Sequence, residues 1–427
     1  MIPLPLSDWA LQWQGGEVHA REALVHRLGL TAQLEPRVRA WTVVDGAAAL
    51  KSAQALDHSA SRANVPLCGV PVGVKDIIDT AGLPTRWGTP LAADRRPEVD
   101  APVVARLRAM GAVVMGKTVT TELATYQPGP TTHPHWAGHT PGGSSSGSAA
   151  AVACGMVPVA LGSQTNGSII RPASFCGVVG FKPHRSAHSL AGVLSTSPSF
   201  DTLGWFTRTV EDMAWWWRRF DGLPSLPAVG AADRAARCVW LDIGLDSMVH
   251  AHARHTFERW RVARGFERVR PWPAEVTLRL LEVHRLVMEH EMAAAVDALF
   301  GPRVSELSFS LQAQLARGRE CSSQQHREAL EELAALQREL DQVWDHADVL
   351  VMPSSLGVAP AGHASTGSPV MATLGTATDW WALSTPLRSA DHPLPLGVQW
   401  LARQDRAPLF WASVLTWGRE APPLPSL

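Results

Sequence analysis

Lysine is scarce in this 427-residue chain. Lys and Arg together number 38, yet only Lys51, Lys75, Lys117 and Lys182 are lysines, which leaves 34 arginines. Genomic base composition explains that bias in bulk. A lysine kept against it is a candidate for a position that needs an amine able to lose its proton, which a guanidinium effectively cannot do. Cysteine is also sparse. Cys68, Cys154, Cys176, Cys238 and Cys321 are odd in number, widely spaced and without a CxxC pair. That pattern argues against a disulfide or zinc framework and for small buried thiols. Charge of one sign is not in excess. A formal net charge of −1 at pH 7 gives no electrostatic footprint for nucleic acid or an anionic membrane. Long apolar runs are missing too, since the longest, Ala149–Gly162, is too short to cross a bilayer. The opening MIPLPLSDWALQWQGG carries Asp8 and no early Lys or Arg. It lacks the basic start and apolar run of a signal peptide. The expectation is a soluble cytoplasmic protein with no nucleic-acid or membrane partner.

What is present suits a large buried core: 46% of residues are hydrophobic and 18% charged. Apolar residues at helical spacing in WALQW, ALVHRL and AAALKSAQAL predict helices over residues 1–64. The stretch LCGVPVGVKDII (Leu67–Ile78) predicts a buried strand ending near Lys75. A helix at Ala101–Met110, a strand at Ala112–Met115, a loop at Thr131–Ser148, a buried small-residue helix at Ala149–Met156 and a strand at Val157–Leu161 follow. The second half predicts a helix at Thr209–Phe220, a strand at Cys238–Ile243, a helical stretch over about 246–345, strands at Val349–Met352 and Leu396–Leu401, and a last helix at Ala407–Trp417. Strands alternating with helices indicate an α/β layered domain. Gly222–Gly230 (GLPSLPAVG) is read as a surface loop, so residues 1–427 are taken as one domain.

The most unusual segment is Pro141–Pro183, PGGSSSGSAAAVACGMVPVALGSQTNGSIIRPASFCGVVGFKP. A glycine-rich turn presenting backbone N–H groups beside a serine is what an oxyanion hole needs. The bland reading is a pair of flexible Ser/Gly loops, but both clusters flank very apolar segments. A serine nucleophile needs a base. Histidine is the usual one, and 17 are present, but no GxSxG elbow singles one out. His133, His135 and His139 sit at spacings of two and four in a Pro-rich loop, a weak metal pattern, and no HExxH occurs. No metal or cofactor is expected. GAVVMGKT (Gly111–Thr118) formally fits a phosphate loop, but a helix-like segment precedes it and AVVM reads as a strand, so nucleotide binding is rejected.

Three segments taken together resemble the amidase signature family: Lys75 in GVPVGVKD, Ser144 in GGSSSGS and Ser168 in NGSIIRPASFCGVVGFKP. Ser144 lies 69 residues after Lys75, and Ser168 a further 24, which fits that family's Ser-Ser-Lys arrangement. The resemblance continues through GKTVTTEL, FDTLGWFTRTVEDMA and PLGVQWLA, with its centre over about 66–215. It implies a single three-layer α/β/α domain with a mixed central β-sheet. It implies Ser168 as nucleophile, Ser144 as a bridging serine after a cis peptide at Gly143, Lys75 as terminal base, and an oxyanion site of backbone N–H groups at Thr165, Asn166 and Gly167. The implied reaction is hydrolysis of a small-molecule amide, with a homodimer left open. A second implied role is the glutaminase subunit of a tRNA-dependent amidotransferase. Neutral net charge and the lack of a partner signal favour a free-standing enzyme.

The chain departs from the common family pattern. Gln164 stands where many members carry Asp, Asn166 where Gly or Ala is usual, and Arg171 sits one position late. The 386–395 segment is short. Of the 18 tryptophans, Trp215–Trp217 are read as core packing, because consecutive residues on one helix face different ways. Trp87, Trp380 and Trp381 are read as loop residues able to line a substrate pocket.

Overall fold

Alternation along the strands explains how one sheet carries a core on each face. Successive side chains of a strand point to opposite sides. Val114, Val159, Leu161 and Trp205 enter one hydrophobic cluster, while their neighbours Val113, Met115, Ala160 and Phe206 enter a second. The computed structural model describes residues 4–221, 236–389 and 392–419. Its strands are β1 (Trp41–Val44), β2 (Pro71–Lys75), β3 (Val113–Thr118), β4 (Val159–Gln164), β5 (Val179–Lys182), β6 (Thr202–Thr207), β7 (Cys238–Leu241), β8 (Glu267–Val269), β9 (Val349–Pro353), β10 (Trp381–Leu387) and β11 (Leu396–Ala402).

All eleven join one sheet in the order β1-β3-β2-β4-β6-β5-β10-β11-β9-β7-β8. Pairing is parallel within β3-β2-β4 and within β9-β7-β8, and antiparallel elsewhere, so the sheet is mixed as expected. Helices cover both faces, giving the three-layer architecture.

Most predicted elements fall within a few residues of the observed ones, and the last helix spans Ala407–Trp417 as read. Two readings need correction. The 246–345 stretch is not purely helical. It holds helices Ala251–Ala263, Ala274–Phe300, Phe309–Glu320 and Ser323–Leu340, with β8 between the first two. Three residues are too few to show a period, and only pairing with β7 makes them a strand. Trp381 is not a loop residue but begins β10, where its ring meets Phe181 and Trp217 at centroid distances of 5.5 and 5.8 Å. Strand β10 is buried on both faces, so it shows no alternation, and Pro386 argues against a strand. The pairing with β5 stops at Ser384, which leaves Pro386 without a neighbour on that side.

Of the other two tryptophans, Trp380 borders a surface cavity together with Asp341, Asp379 and Arg403. Trp380 packs on Trp344 at 4.8 Å and donates to Asp341, while Trp87 packs on Phe300 and Arg95. Trp216 and Trp217 are core residues, and Trp215 is half-buried against Arg219. The Gly222–Gly230 loop lies outside the described residues, as do positions 390 and 391 of the short segment. No helix among the described residues is long and apolar enough to cross a membrane.

Candidate active site

Strand β2 sends Val72 and Val74 into one core, so Lys75 projects from the opposite face together with Gly73. The strand ends there because the amides of Ile77 and Ile78 turn back onto the Lys75 carbonyl. Lys75 is fully buried, with Nζ 2.8 Å from Ser144 Oγ and 2.8 Å from Ser163 Oγ. Burial pushes its amine down to about 7, against a smaller opposing pull from the Asp201 carboxylate.

Ser144 follows a cis Gly143–Ser144 peptide at the entry to helix Ser146–Ala153. The helix can lie this close to the sheet because Gly147 has no side chain: a Cβ there would sit 2.2 Å from the Ala40 carbonyl oxygen. The serine run divides its labour. Ser145 bonds the backbone of Ser163, Ser148 bonds Thr118 and the Leu161 carbonyl, and only Ser144 faces Lys75. Arg171 reaches the same peptide: its Nη2 donates to Gly143 O at 2.7 Å, and its Nη1 to Gly367 O at 2.9 Å. The displaced arginine thus joins the helix after Ser168 (Ile170–Cys176) to the Gly143–Ser144 turn.

The loop after β4 carries Thr165, Asn166, Gly167 and Ser168. Gln164 holds its exit, accepting the amides of Ile169 and Ile170 at 2.8 and 3.0 Å and donating to Thr376. Asp201, buried, accepts from Thr165 Oγ1, Ser195 Oγ and the amides of Thr196 and Ser197. Burial raises its carboxyl, and those hydrogen bonds work against the rise. His284 Nε2 bonds Thr165 O at 3.0 Å, and burial pushes this imidazole down to about 4, so it is a neutral support for the loop. Among the described residues, no hydrogen bond within the chain uses the amides of Asn166, Gly167 or Ser168. The Ser168 hydroxyl likewise has no partner, so the Lys75–Ser144 link is formed and a Ser144–Ser168 link is not. Such contacts commonly close only with substrate in place.

Ser168 opens on a small cavity shared with Tyr126, Asn166, Arg171, Met288 and Gln314. The Asn166 amide donates to Tyr126 Oη at 3.0 Å and accepts from Thr373. Its side chain is therefore held at the cavity wall. Sequence reasoning missed Ser163, Asp201, Tyr126 and Gln314. Asp201 lies inside FDTLGWFTRTVEDMA, whereas nothing local marks the other three.

The remaining candidates sit elsewhere. Both ring nitrogens of His133 are engaged, Nε2 with Phe175 O and Nδ1 with the amides of His135 and Trp136. Burial pushes that ring down to about 3. The phosphate-loop lookalike is strand β3, whose Lys117 bonds Ile78 O and Thr85 and pairs with Asp76. All five cysteines are free thiols, three of them buried.

Residues 22–222 match the family model described as Amidase. Over 206 residues, 46% of this chain, the sequence is 43% identical to a glutamyl-tRNA(Gln) amidotransferase subunit of Nitratidesulfovibrio vulgaris (strain DP4), covering 42% of that protein. The corresponding subunit of Roseiflexus castenholzii (strain DSM 13941 / HLO8) is 41% identical over 208 residues, again 42% of its length. In these matches the chain spans under half the length of the curated relatives. Among solved structures, the crystal structure of an amidase superposes with a TM-score of 0.85 at 26% identity, over 97% of this chain and 99% of that one. A structure described as a vestigial protein complex that reveals the origins of an s-triazine catabolic enzyme gives 0.90 at 24% identity, over 99% and 100%. At that identity the likeness shows the fold alone.

Proposed function

The chain belongs to the amidase family, and on that premise we propose that it hydrolyses a carboxylic or urea-type amide C–N bond through an acyl-enzyme on Ser168, releasing ammonia or an amine. The observation that carries the reading is the fully buried Lys75, held 2.8 Å from Ser144 Oγ with its amine pushed down to about 7. Half of such amines are neutral at neutral pH. A neutral lysine has one lone pair, and Ser163 Oγ, 2.8 Å away, accepts one of its N–H bonds and so aims the lone pair at Ser144. Ser168 Oγ attacks the carbonyl carbon while its proton passes to Ser144 and the Ser144 proton to Lys75. The backbone N–H groups of Thr165, Asn166 and Gly167 take the oxyanion. On collapse the C–N bond breaks, and the Lys75 ammonium returns its proton through Ser144 to the leaving nitrogen. Water then cleaves the ester by the same relay.

Acid quench of a fluorophosphonate or amide reaction tests this directly. The adduct is expected on the peptide containing Ser168 and absent from Ser168→Ala. An adduct that maps elsewhere refutes the assignment. A second reading, a glutaminase-type subunit of a tRNA-dependent amidotransferase, is favoured by the names of the curated relatives. The two separate on one measurement: the first expects amide turnover by the purified chain alone, the second only with added partner subunits.

A further inference from the structure

Another cavity, of about 390 Å³, lies at the opposite end of the strands that carry the Ser168 site. Val70 and Pro71 line it where β2 begins, and Gly155 and Pro158 just before β4. Lys75 and the Ser168 loop sit at the far ends of the same two strands. Helices Leu6–Gly15 and Ala20–Val38 supply the other walls through Leu6, Trp9, Ala23 and Leu30. Ligand sites commonly hold about 300–1,000 Å³ within mostly apolar walls, with a few polar groups that converge.

Here the polar groups are two guanidiniums, those of Arg27 and Arg208. Arg27 Nη1 donates to Gly155 O at 2.6 Å, and among the described residues no carboxylate pairs with it. Arg208 follows β6, which runs antiparallel to β4 with Thr207 opposite Val159, so it arrives at the same end of the sheet. Among the described residues its side chain makes no hydrogen bond or ion pair. The two cations act on each other. Burial, and then the charge of Arg208, push the Arg27 guanidinium down to about 10, against a smaller pull from Asp212. Asp212 is buried, and its Oδ1 accepts the Leu6 amide at 2.7 Å. It offsets one of the two cations and leaves the other uncompensated, which is costly beside apolar walls. Glu22, His19 and His26 also border the cavity but are exposed, and water screens their charge.

We propose that this cavity binds a monocarboxylate with an apolar chain of medium length, its carboxylate held by Arg27 and Arg208 and its chain laid along Trp9, Val18 and Leu30. A surplus of one positive charge matches a monoanion, whereas a phosphate monoester, with close to two negative charges at pH 7, would reverse the imbalance. Two guanidinium forks also suit the two oxygens of a carboxylate, and charge-assisted hydrogen bonds of this kind are the strong ones. The apolar walls reward a chain by about three- to fourfold in affinity per buried methylene. The site is separate from the Ser168 cavity and does not rest on the chemistry proposed there.

The test is calorimetric titration of the intact chain with hexanoate, heptanoate and octanoate, each against the alcohol of the same length. Affinity is expected to rise about three- to fourfold per methylene, and octanoate to bind about tenfold or more tighter than octanol. Arg208→Gln should remove most of that preference and leave octanol binding unchanged. Arg208 has no partner to lose, so this variant should fold as the wild type does. Ala23→Phe, which fills the cavity from helix Ala20–Val38, should weaken acid and alcohol alike. Octanoate that binds no better than octanol, or no binding of either, overturns the proposal. So does octanoate binding that survives both substitutions, because the acid then sits elsewhere, the Ser168 cavity included.

Discussion

Arginine in place of Lys75 keeps a cation at the end of β2 and removes a base. An ordinary lysine, at 10.5, is neutral in about one molecule in three thousand at pH 7, whereas an amine at about 7 is neutral in about half. Burial therefore raises the neutral fraction about a thousandfold, and general-base assistance is worth about 10²–10⁴ in rate. The assay is the rate of fluorophosphonate labelling of Ser168 from pH 5 to 9, which requires no knowledge of the substrate. Wild-type protein should gain about tenfold per pH unit below about 7 and level off above it. Lys75→Arg should label about a thousandfold more slowly at pH 8, nearly as slowly as Lys75→Ala. If the Arg variant folds normally and keeps a tenth of the rate, or if the wild-type profile is flat, the lysine is only an electrostatic fixture. Stability gives an independent check. The folded-state value lies below the unfolded one, so between about 7 and 10.5 the unfolded chain holds the extra proton, and raising pH favours the native state. Lys75→Met lacks that term. Its stability relative to wild type should therefore fall by up to about 1.4 kcal/mol per pH unit across that window in urea titrations and stay constant below it.

Ser163→Ala removes the acceptor that orients the Lys75 lone pair. Turnover should drop about ten- to a hundredfold with KM little changed, and the pH profile should move to lower pH because the charged amine has lost a hydrogen bond. Gln164→Ala strands the buried amides of Ile169 and Ile170 and should cost about 3 kcal/mol in urea unfolding. Dialysis against a chelator should leave Ser168 labelling unchanged, whereas loss that zinc or manganese restores would refute metal-independent catalysis.

Much of the site can be read in one dimension because its chemistry is carried by short, contiguous patterns. A lysine closing an apolar β-branched stretch, in a chain that otherwise uses arginine, is unusual wherever it occurs. A Gly-Gly-Ser-Ser-Ser turn running into a helix of small residues needs close backbone approach whatever surrounds it. The alternation of Val72, Gly73, Val74 and Lys75 also sets which face of β2 the amine takes.

Tertiary structure decided the partners and the topology. Ser163 meets Lys75 across 88 residues of chain, on a strand, VALGSQ, whose own pattern shows only that it is buried throughout. Gln314 reaches the Ser168 cavity from a helix well beyond the matched core. Tyr126, the chain's single tyrosine, gains its place only because Asn166 faces it. The start of β10 reads as loop because a strand covered on both faces has no period to reveal, and β8 is too short to have one. Sequence patterns report what each residue's immediate neighbours require. Which distant segment satisfies a buried amine, or pairs with a three-residue strand, depends on the packing of two cores against one sheet, and no local stretch encodes it.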